Sequence, residues 1–166
     1  MPTDTVVHQL AIRVGNKLRD ERLMLATAES CTGGMVATAI TDISDSSAWF
    51  ERGFVTYSNL AKTEMIGVPA SLIEQYGAVS EPAAKAMAEG ALRNSRAQVS
   101  VSITGVAGPA GGSETKPVGT VCFGWSSRLH TAVETQHFKG DREQVRTQAA
   151  AHALRKLLEF LDQRER

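Results

Sequence analysis

Only two cysteines occur in the 166 residues, and Cys31 and Cys122 stand too far apart for a C-x-x-C pair. Reduced thiols are therefore expected, and a zinc site would lack half its ligands. His8, His130, His137 and His152 show no H-x-x-x-H or H-x-H spacing, so no metal centre is expected from them. No charge of one sign prevails: 18 Lys plus Arg balance 18 Asp plus Glu, without a basic cluster. That removes the usual electrostatic source of nucleic-acid affinity. Long apolar runs are missing too. The longest, Leu23 to Ala26, falls far short of the roughly 20 residues of a membrane span, and Asp4 and His8 stand where a secretory signal needs apolar residues. The expectation left by these absences is a cytoplasmic protein with no membrane or nucleic-acid partner.

What is present is the composition of an ordinary globular chain, with 42% hydrophobic and 5% aromatic side chains. No repeat, low-complexity stretch or Pro/Ser-rich linker divides it, so residues 1–166 are expected to form one domain. Helical spacing marks both ends, through Val7, Leu10, Ala11, Val14 and Leu18 at the start and Val145, Ala149, Ala153, Leu154, Leu157, Leu158 and Leu161 at the finish. Asp141 with Gln144 three positions on is a capping box for the last helix. In between, strand-length apolar stretches are predicted at Leu23–Ala28, Gly53–Tyr57, Val99–Ile103, Val118–Trp125 and Thr131–Phe138. Helical patterns separate them, one after Gly33-Gly34 with Met35, Val36, Ala39 and Ile40 on one face, another opening at Ser80-Glu81-Pro82 and running to Leu92. The alternation predicts a three-layer α/β sandwich, a mixed sheet of about five strands flanked by helices, with the last two strands forming an antiparallel hairpin.

Four segments carry residues suited to chemistry. Thr27 to Gly34 lies between a predicted strand and a predicted helix, where backbone N–H groups of a helix N-terminus can stabilise an oxyanion and Gly33 and Gly34 let a ligand approach the backbone. Ser30 is then a candidate nucleophile, with Cys31 as competitor; equally, Ser30 or Thr32 can be a helix cap beside a tight glycine turn. Val55 to Lys62 follows the second strand and offers Tyr57 and Lys62. A neutral lysine can take a serine proton and a tyrosine can relay or orient it, whereas the plainer reading is a solvated lysine and a packed tyrosine. Thr104 to Ser113 carries Gly105, Gly108, Gly111 and Gly112 without matching the phosphate-loop or dinucleotide patterns; it is a binding wall or a long surface loop. Arg142 and Arg146 share one face at the start of the last helix, where arginine opposes the dipole unless an anion binds there; ion-paired surface arginines are the other reading.

Taken in order, these segments resemble the family built on the carboxy-terminal domain of CinA, the competence/damage-inducible protein. The motifs are T-A-E-S-C-T-G-G at Thr27–Gly34, V-T-Y-S-N-x-A-K at Val55–Lys62, G-A-V-S at Gly77–Ser80, G-x-A-G-P-x-G-G at Gly105–Gly112, K-P-V-G-T-V at Lys116–Val121 and G-D-R-x-x-V-R at Gly140–Arg146. Stand-alone members of that family are nicotinamide-nucleotide amidases, while longer relatives carry an N-terminal domain for which this chain is too short. The resemblance implies metal-free and cofactor-free hydrolysis of the carboxamide of nicotinamide mononucleotide to nicotinic acid mononucleotide and ammonia. It places the serine nucleophile at Ser30 and its proton-handling partners at Tyr57 and Lys62. Thr32, Gly33, Gly34, Gly105, Gly108, Arg142 and Arg146 are the candidate contacts for a small nucleotide substrate, and a homo-oligomer is expected. A catalytically silent paralogue that binds a small nucleotide as sensor or scaffold is the competing expectation, against which the intact Ser30, Tyr57 and Lys62 argue.

Overall fold

The computed structural model describes residues 3–164. Along the chain run α1 (Thr3–Glu21), β1 (Leu25–Glu29), α2 (Met35–Thr41), β2 (Phe50–Val55), α3 (Asn59–Ile66), α4 (Ala70–Tyr76), α5 (Glu81–Arg93), β3 (Val99–Gly105), β4 (Thr120–Ser127), β5 (Thr131–His137) and α6 (Arg142–Arg164). The sheet order is β2-β1-β3-β4-β5. β1 runs parallel to β2 and β3, while β3, β4 and β5 alternate in direction, as expected of a mixed sheet with a terminal hairpin. The capping box forms as spaced: Asp141 accepts from the Gln144 N–H at 2.9 Å and Gln144 Oε1 accepts from the Asp141 N–H at 2.8 Å. Among the described residues no helix is long and apolar enough to cross a membrane.

The strand bounds differ from the pattern-based expectation by one to three residues, and one helix goes unread. β2 covers Phe50–Val55 rather than starting at Gly53, because its first half pairs beside Leu25 and Ala26 with side chains too mixed to read as a strand. The α4 helix, Ala70–Tyr76, has only Ile73 buried and so carries almost no apolar periodicity to be read.

Side-chain alternation divides the interior into two cores. Leu25, Val99, Val101, Ile103, Val121, Phe123 and Trp125 face α1, α2 and α6. On the other side Ala26 and Ala28 face Ile66, Val68, Ile73, Met87 and Ala91. β3 shows how the second face tolerates hydroxyls. Ser100, Ser102 and Thr104 are buried and donate to the carbonyls of Ala88, Ala84 and Ala78 at 2.6, 2.6 and 2.9 Å, using the second lone pair that a helical or turn carbonyl keeps free. Small residues let α5 come that close: a Cβ on Gly124 of β4 would sit 2.6 Å from the Ala84 carbonyl oxygen.

The crossover from β1 to β2 passes through α2 on one face, and that from β2 to β3 through α3, α4 and α5 on the other. The chain therefore leaves the carboxyl end of β1 toward one layer and that of β2 toward the other, which opens a crevice at these strand ends.

Gly90 tests the close packing of α5. Alanine normally gains about 1 kcal/mol over glycine inside a helix, but here its Cβ would run into the Ile66 carbonyl oxygen. Overpacking of that kind costs about 1–3 kcal/mol. Gly90→Ala should thus lower the urea unfolding midpoint; an unchanged or raised midpoint would show that α5 is free to shift away from α3.

Candidate active site

The crevice begins with the register of β1. Glu29 ends the strand on the face of α2, and Ser30, one residue on, turns to the opposite face while its N–H still bonds the Ile103 carbonyl at 2.9 Å. A turn follows, closed by the Gly33 N–H on the Ser30 carbonyl at 3.0 Å, and Gly33 and Gly34 take φ of 59° and 108° before α2 starts. Only glycine enters such conformations without strain.

Lys62 approaches from α3, whose first turn is capped by the Ser58 hydroxyl accepting from the Ala61 N–H at 3.0 Å. Its Nζ lies 3.1 Å from Ser30 Oγ, 2.9 Å from the Thr56 carbonyl and 3.2 Å from the Tyr57 carbonyl. Lys62 is 1% exposed, and burial, which penalises the charged amine, holds its pKa below the ordinary lysine range. The ammonium form would donate to Ser30 Oγ and to both carbonyls, with the Ser30 hydroxyl donating to the Tyr57 carbonyl; the neutral form, toward which burial shifts the amine, is arranged differently. A neutral amine has two hydrogens and one lone pair. The two carbonyls can only accept, so they take the hydrogens and the lone pair is left for the Ser30 hydroxyl. In that form the amine is able to accept the Ser30 proton.

Tyr57 enters differently from the sequence expectation. It is the Tyr57 carbonyl that lies against Ser30 Oγ, at 3.3 Å, and against Lys62. The phenol is on the rim, 61% exposed, with its hydroxyl accepting from the Arg142 guanidinium at 3.2 Å. Arg142 also donates to the Gly108 carbonyl at 2.9 Å and so ties the loop after β3 to Tyr57. Ser30, Lys62, Tyr57, Thr104, Gly105 and Arg142 line a cavity of about 230 Å³.

Thr32, Gly33, Gly34 and Arg146 lie on the far side of the turn, along a larger groove of about 720 Å³ that meets the cavity at Arg142. The Thr32 hydroxyl is buried and donates to Glu29 at 2.6 Å, so it is neither a helix cap nor turned to the cavity. Arg146 donates from Nε to the Cys31 carbonyl at 3.0 Å and from its terminal nitrogen to the Thr32 carbonyl at 3.3 Å. The expectation that the N-terminal donors of α2 face a substrate is corrected by Glu29, whose carboxylate accepts from the Val36 and Ala37 N–H groups at 3.0 and 3.1 Å. Glu29 itself escaped the sequence reading. An acid just ahead of a helix start was the available signal.

Burial pushes the Cys31 thiol up to about 12, with the Glu29 carboxylate adding to the shift, so the thiol stays protonated and is a poor nucleophile.

A mixed α/β sandwich with a buried Ser–Lys contact outside the carboxyl ends of its parallel strands defines the class. The chain belongs to the CinA C-terminal domain family, whose model matches residues 7–161. It is 54% identical over 156 residues to the nicotinamide-nucleotide amidohydrolase PncC of Escherichia coli K12, covering 93% of this chain and 94% of that one. Identity to the Pseudomonas putida protein of the same name is 51% over 151 residues, covering 91% and 94%. Among solved structures, the competence/damage inducible protein CihA of Agrobacterium tumefaciens superposes with a TM-score of 0.91 at 42% identity, over 95% of this chain and 96% of that one. A CinA superfamily protein of Escherichia coli gives 0.90 at 39% identity, over 95% and 92%.

The protonated state of Cys31, together with a burial-raised Cys122, predicts that neither thiol of the native protein is alkylated by iodoacetamide at pH 8. Mass spectrometry should find both labelled after denaturation. Native labelling of Cys31 with matching loss of activity would restore the thiol as a candidate nucleophile.

Proposed function

We propose that this protein hydrolyses the carboxamide of nicotinamide mononucleotide to nicotinic acid mononucleotide and ammonia, with Ser30 as nucleophile and Lys62 as its base. The observation that carries the reading is the buried Lys62, whose pKa burial lowers and whose Nζ lies 3.1 Å from Ser30 Oγ. Relatives sharing 51–54% of their residues over nearly the whole chain, named as nicotinamide-nucleotide amidohydrolases, support the substrate class.

The steps follow from the donor set. Lys62 takes the Ser30 proton as Oγ attacks the carboxamide carbon. The tetrahedral species collapses when the Lys62 ammonium returns that proton to the departing nitrogen, releasing ammonia and leaving an acyl ester on Ser30. Water, deprotonated by the same amine, then cleaves the ester. Serine and amine supply nucleophile and base between them, so the scheme calls on no metal or cofactor. The cavity of about 230 Å³ suits the ring and its carboxamide, with Gly105 in its wall. Arg142, where cavity and groove meet, is the proposed partner of the 5′-phosphate, and the backbone from Thr32 to Gly34 and at Gly108 lines its surroundings. Tyr57, held by Arg142, is the proposed lid of the ring site and assists proton transfer through its carbonyl contact with the amine. The same reading takes residues 1–166 as one domain acting in the cytoplasm as a homo-oligomer; Val55, Tyr57 and Leu60, exposed beside the site, favour a covering subunit.

Purified protein should release ammonia from nicotinamide mononucleotide. Ser30→Ala should abolish nearly all of it without unfolding, and Lys62→Met should lose about 10²- to 10⁴-fold in kcat, the usual effect of removing a general base. Since only the neutral amine can accept a proton, kcat/KM should fall as pH drops through the lowered pKa of Lys62 and plateau above it. Wild-type turnover in Ser30→Ala would overturn the assignment.

Arg142→Ala should raise KM for the mononucleotide more than it lowers kcat, because a phosphate contact binds substrate and transition state alike. Nicotinamide riboside, which has no phosphate, is the control. An unchanged KM for the mononucleotide would move the phosphate elsewhere.

A further inference from the structure

We propose that the backbone N–H groups of Cys31 and Thr32 receive the oxyanion formed at Ser30, and that Arg146 is the positioning residue that aims and polarises the Thr32 N–H. The inference rests on Ser30 being the nucleophile. It assigns to Arg146 a task other than holding the phosphate.

The argument starts from unpaired donors. Cys31 and Thr32 are 5% and 0% exposed, yet among the described residues their N–H groups have no hydrogen-bond partner on another residue, and the Cys31 N–H meets only its own thiol. Buried backbone donors are almost always paired, so two in succession beside a candidate nucleophile point to an acceptor that arrives with the reaction. The α2 terminus cannot serve instead. Its Met35 N–H bonds the Thr32 carbonyl at 3.1 Å, and those of Val36 and Ala37 are held by Glu29.

Peptide planarity gives the direction. Among the described residues only Gly108-Pro109 is cis, so in the Cys31–Thr32 peptide the C=O and N–H point opposite ways. The Cys31 carbonyl is turned to Arg146 on α6, in the layer of α2, and the Thr32 N–H is therefore turned toward the opposite layer. That is where Lys62 of α3 meets Ser30 Oγ. The Ser30 carbonyl likewise takes the Gly33 N–H, turning the Cys31 N–H away from the interior of the turn. In hydrolases built on a strand–turn–helix nucleophile, the N–H of the residue after the nucleophile has this part.

Arg146 also acts electronically. Its guanidinium charge on the Cys31 carbonyl draws electrons from that amide and makes the Thr32 N–H a stronger donor, as in any chain of polarised hydrogen bonds. A Cβ on Gly33 would lie 3.3 Å from the Arg146 guanidinium, so the small residue keeps the turn within its reach.

The test measures ammonia release from nicotinamide mononucleotide by wild type, Arg146→Ala and Arg146→Lys, with circular dichroism as the folding control. Direct loss of an oxyanion donor costs about 10²- to 10³-fold in kcat. Misaiming one through Arg146→Ala should cost less, on the order of 10- to 100-fold, with KM nearly unchanged. Added guanidinium ion should restore part of the lost kcat. Arg146→Lys, which keeps the charge but loses the planar fork and its reach, should fall between, and decides the matter if the alanine variant does not fold. A rise in KM with kcat intact would make Arg146 a phosphate ligand and overturn the proposal, as would wild-type kcat in Arg146→Lys or Arg146→Ala. Failure of wild type itself to release ammonia would overturn the amidase reading, and the inference with it.

Discussion

An amine buried without a carboxylate constrains everything around the crevice. A charged Lys62 in that place would forfeit hydration without gaining an ion pair, so the fold favours the neutral form. The surroundings are built to keep it so. Thr56 and Tyr57 offer carbonyl dipoles and no formal charge, and the nearest thiol, Cys31, is itself held protonated by burial. At the end of α3 and just beyond it, Ile66 and Val68 pack into the second core and so hold in place the helix that carries the amine.

Strand alternation supplies the insulation. Glu29 and Ser30 are neighbours in sequence, but the two-residue period of the strand sends the carboxylate to the α2 layer and the hydroxyl to the α3 layer. Slipping β1 by one residue would exchange them, placing a carboxylate against Lys62. The amine would then be a paired ammonium with no lone pair to offer. Pairing of β1 with parallel neighbours on both sides fixes the register that prevents this. On its own side Glu29 is satisfied by the Thr32 hydroxyl and two N–H groups of α2, so the acid that would pair with the amine instead fastens the turn after Ser30.

How far this was legible in the sequence depends on what kind of contact carries it. The layer architecture, the capping box of α6 and the meeting of Ser30 with Lys62 all leave marks in side-chain pattern or motif, and the structure shows them. The α4 helix leaves none, since Ile73 is its one buried residue. The contacts around Ser30 and Lys62 are mostly with backbone: the Thr56 and Tyr57 carbonyls meet the amine, and the Tyr57 carbonyl also meets the Ser30 hydroxyl. Backbone groups are the same at every residue, so no spacing announces which will be used. The side to which Glu29 points was equally hidden, because it depends on a register set by β2 and β3 from elsewhere in the chain.

The two arginines of α6 illustrate the same limit and explain why the last helix belongs to the site. Their i, i+4 spacing puts both on one face, where an anion was the natural partner to expect. In the structure each first secures backbone: Arg142 the Gly108 carbonyl, Arg146 those of Cys31 and Thr32. The glycine-rich loops after β1 and β3 need left-handed conformations, and glycine also makes them costly to order. A guanidinium holds such backbone through several donors fixed in one plane, which sets the direction of each bond as a rotating ammonium does not. The loops are then ordered before substrate arrives, so their donors need not reorganise as charge develops on the substrate, which is the condition under which fixed dipoles stabilise a transition state more than water does.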